Sequence, residues 1–241
     1  EDIVYFGDTG RVPYGTRSRE TIEKYAEQDC RFLMGGGVKR IIAACGTVSS
    51  TAPGVLERLP VPACGVVEPA ADAALAASRS GRIGVIGTSA TIRSGAFQRR
   101  IEAARPAVRV FAAACPLFVP LVENGWIEPG DEVARAIVRR YMQPLKAEGI
   151  DTLILGCTHF PLLAPFLSEE LGDEVVLIDA GRETALAPVP WRRTMPSTLP
   201  KSEEPAASMS ATVPTIFPMW PGFFWAGRWR TMSSGWISTL Y

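Results

Sequence analysis

Short apolar runs alternate with longer amphipathic segments over residues 3–178. The apolar runs have the length and composition of buried β-strands, and they lie at 3–6, 38–44, 61–67, 83–87, 108–112, 153–155 and 175–178. Helix starts or apolar residues at helical spacing separate them and predict helices after Ser18 or Thr21, after Cys45, and over 68–77, 131–148 and 162–171. Strands that alternate with helices predict a parallel sheet with helical crossovers, which is an α/β fold.

From residue 188 onward the sequence shows neither the helical nor the strand period. This segment holds eight of the 20 prolines and five of the six tryptophans, but only two acidic residues, Glu203 and Glu204. We therefore expect an irregular Pro/Trp-rich tail from about residue 188. We hypothesise that it derives from a shifted reading frame, which sequencing of the source DNA would test.

Two of the predicted strands end in the same way. Cys45 stands eight residues after Gly37, and Cys157 stands eight residues after Gly149. The carboxyl end of a strand that leads into a helix is where α/β proteins place reactive groups. Backbone N–H groups at a helix start lower the pKa of a thiol from about 8.5 towards about 3.5–7.5. We therefore expect a lowered pKa at both thiols.

Two thiols from two matched strand ends indicate acid–base chemistry. One thiol can remove a proton from a carbon while the other returns a proton to the opposite face, which inverts a stereocentre. His159, the only histidine, follows Cys157 by two residues and could adjust that thiol. Glu123, in an apolar loop predicted at 116–125, could orient an acid–base partner. A thiol hydrolase with Cys157 as nucleophile and His159 as base is an alternative, but it leaves Cys45 unexplained.

Composition argues against several classes of partner and binding site. The 25 basic and 25 acidic residues balance, which argues against a nucleic-acid or membrane-surface partner. A single histidine and the absence of a CxxC pair argue against a metal site, and no glycine spacing matches a P-loop or a dinucleotide-binding motif. The five cysteines fit reduced cytosolic thiols, and we expect three of them in the core: Cys30, Cys64 and Cys115.

Seven motifs, in this order and spacing, resemble the glutamate racemases of the cofactor-independent aspartate/glutamate racemase superfamily. They span about residues 2–185 and are YFGDT from Tyr5, VPYG from Val12, ACGT from Ala44, VEP from Val67, IGT from Ile86, PLVE from Pro120 and LGCTHFP from Leu155. The resemblance implies two pseudo-symmetric subdomains, each a mainly parallel sheet flanked by helices, with the active site between them. It places the first subdomain at 1–80, the second at 81–178, and a return to the first at 179–241.

The same resemblance implies that the chain interconverts L- and D-glutamate in the cytoplasm, without a cofactor, to supply peptidoglycan synthesis and so maintain the cell wall and cell shape. Cys45 and Cys157 would be the two acid–base residues, with His159 and Glu123 assisting them. The substrate would be held by six residues: Tyr14, Gly15, Gly46, Thr47, Thr158 and His159. Glutamate would be the small-molecule partner, with neither nucleic acid nor membrane involved, and a homodimer is an assembly that the resemblance leaves open.

Two alternatives remain at this point: a racemase for aspartate or another amino acid, and a fragment that binds a ligand without turning it over. The chain differs from the family in three respects, of which the first strand and the tail motivate the second alternative. The family's first strand, with its Asp-Ser-Gly turn, does not precede Glu1, and Gly46 stands where asparagine is usual. The tail also does not resemble the family's terminal helices.

Overall fold

The computed structural model describes residues 2–187 and 225–230. The strands of this part are β1 Asp2–Gly7, β2 Ile41–Ala43, β3 Ala63–Gly65, β4 Arg82–Gly87, β5 Arg109–Ala114, β6 Thr152–Leu155, β7 Val176–Asp179 and β8 Trp225–Arg230. The helices are α1 Arg19–Gly35, α2 Gly46–Thr51, α3 Pro53–Glu57, α4 Val67–Ala77, α5 Ser89–Ser94, α6 Ala96–Ala104, α7 Phe118–Glu123, α8 Glu132–Ala147, α9 Ala164–Leu171 and α10 Ala180–Leu186. A 3-10 turn, Phe160–Leu163, precedes α9.

A four-stranded parallel sheet in the order β5-β4-β6-β7 forms the larger layer. Its central strands β4 and β6 are almost wholly buried, because α7, α8 and α9 cover one face while α4 and α6 cover the other. Ile86 is in register with Leu155, so β4 and β6 end at the same edge of the sheet. The predicted α/β class, with parallel sheets flanked by helices, is confirmed.

A smaller parallel sheet consists of β2 and β3, and helices α1, α2 and α3 pack around it. The predicted start of α1 is confirmed, because the Ser18 side chain accepts a hydrogen bond from the backbone N–H of Thr21. The helix ends at Gly35, with Gly36 as its C-cap. The N-cap fixes where the preceding loop, residues 8–18, leads into α1.

Two predictions about the chain ends need correction. Within the described residues, β1 does not join the β2–β3 sheet but pairs antiparallel with β8. A stretch of the predicted irregular tail, residues 225–230, is therefore a strand. The backbone N–H and C=O groups of β1 and β8 form hydrogen bonds with each other. The rest of the tail, residues 188–224 and 231–241, lies outside the described residues.

The segment before β6 differs from prediction in three respects. The apolar loop predicted at 116–125 contains helix α7, and α8, where Pro144 predicts a local break, continues to Ala147 without one. Apolar spacing in the sequence predicts that α8 turns Val133, Ile137, Tyr141 and Leu145 inward, but the buried stripe is shifted by about one position, since Val133 is 48% exposed. The side chains that α8 buries are Ala134, Val138, Met142 and Leu145.

None of the described helices combines the length and the apolar composition that a bilayer crossing requires.

Candidate active site

Cys45 is the N-cap residue of α2, immediately after β2. Its backbone is extended, with φ −86° and ψ 120°, and its carbonyl accepts the first helical hydrogen bond, from Ser49 N–H at 2.9 Å. The thiol is partly buried against a small core cluster beneath α2. Strand β2 and the start of α2 together fix its position at a sheet edge, as the sequence predicted.

Cys157 occupies the corresponding position after β6. Gly156 leaves the strand, donating its N–H to the Ile86 carbonyl at 2.8 Å, and the 3-10 turn that precedes α9 begins three residues after Cys157. No side chain fits at Gly156, because a Cβ there would lie 2.7 Å from the Ile86 carbonyl oxygen. The glycine therefore lets the chain turn tightly and delivers Cys157 at the end of the central strand.

The two cysteine-bearing turns touch. A Cβ on Gly46 would overlap the carbonyl oxygen of Gly156 and lie 3.6 Å from the backbone nitrogen of Cys157. The structure therefore gives a physical reason for glycine at position 46: any side chain there would push the turns apart. An electrostatic interaction also couples the thiols, since the charge on Cys45 raises the pKa of Cys157.

Both thiols have a raised pKa, so the predicted lowering is wrong. Desolvation is the largest cause at each site, and it raises the pKa of Cys157 to about 12. Backbone N–H groups do act in the predicted direction, those of Val48 and Thr47 on Cys45 and that of His159 on Cys157, but they do not offset desolvation. Sequence patterns show helix starts but cannot show how much protein surrounds a thiol.

Cys157 begins a chain of polar contacts that ends at a carboxylate. Its Sγ lies 3.8 Å from Nδ1 of His159, and Nε2 of His159 lies 3.2 Å from Oε1 of Glu123. Thr158 contacts the same Nδ1 atom at 3.4 Å. The structure thus brings Glu123, from the end of α7, into contact with His159, so the histidine can pass charge or a proton between the carboxylate and the thiol.

Three threonine hydroxyls form a cluster next to the first turn. Oγ1 of Thr47 lies 2.9 Å from that of Thr88, and Oγ1 of Thr88 lies 3.0 Å from that of Thr91. Gly15 packs on Thr88, where a Cβ would approach to 2.6 Å, and its carbonyl accepts from Ala90 N–H at 2.9 Å. The cluster joins Thr47, at the start of α2, to Thr88 and Thr91, at the start of α5. Its hydroxyl groups can donate hydrogen bonds to an oxyanion. From the sequence, Thr88 was evident only as part of the IGT motif, and neither Thr88 nor Thr91 was predicted to belong to the site.

Tyr14 is held by a charged cluster that sequence reasoning missed. Its hydroxyl contacts the carboxylates of Asp8 and Asp29, the latter at 3.1 Å. Arg11 lies between the two, 2.6 Å from Asp8 and 2.5 Å from Asp29, and stacks over Tyr25 at 4.3 Å. Desolvation and these carboxylates raise the pKa of Tyr14, so it stays neutral. The motif that begins at Tyr5 contains Asp8, whereas Arg11 and Asp29 belong to none of the motifs, so no sequence pattern indicated their role.

The remaining cysteines match their predicted roles in part. Cys30 and Cys115 are buried in the core, as predicted, while Cys64 in β3 is only partly buried. Within the described residues, no group of three or more His, Cys, Asp or Glu side chains could hold a metal ion.

Comparisons with known proteins support the same fold and chemistry. A family model described as Asp/Glu/Hydantoin racemase matches residues 2–187. A glutamate racemase of Geobacter metallireducens is 49% identical over 186 residues, which cover 77% of this chain and 68% of the relative. The structure of a glutamate racemase isoform from Bacillus anthracis aligns with a TM-score of 0.72 and 37% identity, covering 75% of this chain and 67% of that one.

A glutamate racemase from Francisella tularensis, solved in complex with D-glutamate, aligns with a TM-score of 0.68 and 34% identity over 75% of this chain and 67% of that one. The family match extends over both cysteine-bearing turns and over Tyr14, Thr88 and Glu123. The chain therefore belongs to the Asp/Glu/hydantoin racemase family.

Proposed function

We propose that this chain is a glutamate racemase, which interconverts L- and D-glutamate by proton transfer at Cα. The observation that carries the proposal is the contact between two turns that each present a cysteine at the carboxyl end of a parallel strand. The similarity to proteins named glutamate racemase favours glutamate over aspartate as substrate. The proposed reaction uses no cofactor, because the two thiols that move the proton both belong to the chain.

One thiol must be ionised and the other protonated when the reaction starts. The thiolate removes the Cα proton, the electron pair moves into the substrate carboxylate, and the opposite thiol donates its proton to the other face. The high pKa of Cys157 limits how often its thiolate forms, but it also makes that thiolate a strong base. The positive ammonium group of a bound amino acid would favour the thiolates in this desolvated site.

The groups around the turns have complementary roles in this proposal. His159, supported by Glu123, would supply or withdraw charge beside Cys157. Thr47, Thr158 and the backbone at Gly46 would bind the substrate carboxylate, and the Tyr14–Gly15 loop would close over it. Thr88 and Thr91 join this set because their hydroxyls contact Thr47.

Circular dichroism or chiral chromatography of L-glutamate incubated with the chain tests the proposal directly. In deuterium oxide, deuterium should appear at Cα of the product. Cys45→Ser and Cys157→Ser should each slow racemisation by about 10²-fold or more, the usual contribution of one acid–base group. Cys64→Ser, in β3, is the matched control and should racemise at the parental rate.

Two outcomes would refute it. If both single variants racemise glutamate like the parent, the two-thiol mechanism is wrong. If the parent binds glutamate but does not incorporate deuterium, the chain is a ligand-binding fragment. L-aspartate run in parallel separates the remaining alternative, because a glutamate racemase should convert it much more slowly.

We further propose the finer assignments that the family resemblance implies. The D-glutamate product would supply peptidoglycan synthesis, and with it cell-wall biogenesis and cell shape. A cytoplasmic location is supported by five free cysteines in the described residues. Subdomains at 1–80 and 81–178, with a return of the chain from 179, and a homodimer are also proposals, which limited proteolysis and light scattering would test.

A further inference from the structure

The contact between Glu123 and His159 is partly open to solvent. The two side chains are 45% and 31% exposed, and a single contact of 3.2 Å joins Oε1 of Glu123 to Nε2 of His159. A polar pair this exposed contributes little to stability, and it restricts two side chains that would otherwise move. Other contacts between the elements that carry these residues must therefore set the geometry of the pair.

Two buried phenylalanines join the same two elements. Phe118 is the first residue of α7, Phe160 follows His159 directly, and both side chains are fully buried. Their rings meet edge to face, with centroids 5.1 Å apart and planes at 81°. Aromatic rings prefer this arrangement, and each buries about 150–250 Å². Packing of this size, rather than the exposed polar pair, fixes α7 against the turn after β6.

Each ring is close in sequence to a residue of the candidate site. Phe160 donates its backbone N–H to the Cys157 carbonyl at 3.1 Å, which closes the turn that contains His159. Glu123 ends α7 five residues after Phe118, a rise of about 7.5 Å along a helix axis. The positions of the two rings therefore determine where the carboxylate and the imidazole meet.

A third ring supports Phe118 from α8. Tyr141 packs edge to face on Phe118, with centroids 5.3 Å apart and planes at 84°. Phe118 thus lies between Tyr141 and Phe160, and we call these three residues the aromatic triad. All three are part of the core on one face of the four-stranded sheet or pack against it. A movement of α7 that separated Glu123 from His159 would have to break these ring contacts.

We infer that Phe118 is a positioning residue, which holds Glu123 within hydrogen-bond distance of His159. Phe118 acts through Glu123 and is not itself a catalytic residue. The inference rests on the proposed function, in which His159 and Glu123 adjust the thiol of Cys157. It adds that this half of the site depends on aromatic packing between α7, α8 and the turn after β6.

Nuclear magnetic resonance tests the inference without a measurement of activity. His159 is the only histidine of the chain, so its ring nitrogens give one pair of ¹⁵N signals. Glu123→Gln should move the Nε2 signal in the parental chain, but much less when it is made in Phe118→Leu. In Phe166→Leu the response to Glu123→Gln should be parental, because Phe166, in α9, is buried in the same core but is not part of the aromatic triad.

Racemisation kinetics test the same coupling. Phe118→Leu should lower kcat by about tenfold or less, as expected when one hydrogen bond is weakened, and should leave KM for glutamate unchanged. Because Phe118→Leu and Glu123→Gln remove the same contact, the double variant should be about as slow as Glu123→Gln alone. Phe166→Leu should keep the parental kcat.

Tyr141→Leu keeps the inference testable if Phe118→Leu does not fold. Tyr141 is only partly buried, and its loss removes the support of Phe118 while the contact between Phe118 and Phe160 is retained. The response of the Nε2 signal to Glu123→Gln should then be smaller than in the parent.

Three results would overturn the inference. A parental response of the Nε2 signal in folded Phe118→Leu or Tyr141→Leu would mean that the polar pair does not depend on the aromatic triad. An equal reduction in Phe166→Leu would mean a general loosening of the core. Effects on kcat that multiply in the double variant would mean that Phe118 and Glu123 act independently. The NMR results stand apart from the proposed function, which fails separately if the parent does not racemise glutamate.

Discussion

Gly46 lies directly against the carbonyl group of Gly156, so closely that a Cβ on Gly46 would stand 2.9 Å from the Gly156 carbonyl carbon. This contact joins the turns that carry Cys45 and Cys157, and backbone atoms on both sides leave nothing that can move aside cheaply. The separation of the two thiols therefore depends on the absence of a side chain at position 46.

Gly46→Ala should consequently impair catalysis more than folding. A displacement of the turns by about 1 Å would cost about 10²-fold in kcat, as misplaced catalytic groups generally do. Overpacking should lower the free energy of unfolding by about 1–3 kcal/mol. Gly35→Ala, at the end of α1, is the control because a Cβ there meets no atom within 4 Å. A Gly46→Ala enzyme with the parental kcat would show that the contact does not set the thiol separation.

Glu123→Gln should shift the pH dependence of the reaction. The Glu123 carboxylate raises the pKa of Cys157, although desolvation is the larger cause. Removing this charge lowers the pKa of Cys157, so the limb of the pH–rate profile that follows Cys157 ionisation should move to lower pH. Because a glutamine oxygen can still accept from His159, kcat should fall by about tenfold or less.

The control for this prediction is Glu128→Gln, which removes an exposed carboxylate from the loop after α7. Its pH–rate profile should overlay that of the parent. A shift of the Glu123→Gln limb to higher pH would contradict the assigned electrostatic role.

Arg11→Met should destabilise the loop that carries Tyr14. The substitution leaves the carboxylates of Asp8 and Asp29 facing each other without a cation, with side chains only 7% and 19% exposed. A fully buried pair would cost more, but partial exposure reduces the expected loss to about 2 kcal/mol, measured by urea unfolding. KM for glutamate should also rise. Adding Asp29→Asn should restore part of the stability; a double variant no more stable than Arg11→Met would count against the electrostatic explanation.

Asp151→Asn should reduce stability at neutral pH but not in acid. Burial alone would raise the pKa of Asp151, but N–H and hydroxyl donors lower it well below its usual range: the hydroxyls of Ser78 and Thr152 at 2.7 and 2.9 Å, and the Arg79 and Ser80 N–H groups at 2.8 and 2.5 Å. A carboxylate whose pKa is lower in the folded state stabilises the protein above its unfolded pKa of about 3.9, and this contribution disappears as the pH falls through the folded value.

Urea unfolding at pH 7 should show a loss of about 1–2 kcal/mol in the Asp151→Asn variant, after allowance for solvent screening. At about pH 2 the difference from the parent should be much smaller. Asp173→Asn, in the exposed turn before β7, provides the control. An equal loss at both pH values would indicate a packing effect rather than the loss of a charge.

The sequence by itself determined the class of fold and most of the catalytic residues proposed here. Short apolar runs and the glycines next to them located the strands that lead to Cys45 and Cys157. Buried strands must be apolar along their length, and the turns after them need small residues. The paired spacing from Gly37 and Gly149 indicated that two thiols act together. His159 was evident from its position in the second turn.

Only the tertiary structure decided how these residues are arranged. Helix α7 brings Glu123 to His159 across 36 residues of sequence, a distance that no local pattern encodes. The direction of the thiol pKa shifts also depended on burial by distant segments, which outweighed the local N–H groups that sequence reveals. The Asp29 carboxylate beside Tyr14 and the glycine contact between the turns follow from packing as well. The residue types that carry the chemistry can be recognised from the local sequence. The distances between them, their burial and their pKa shifts arise from contacts between segments far apart in sequence.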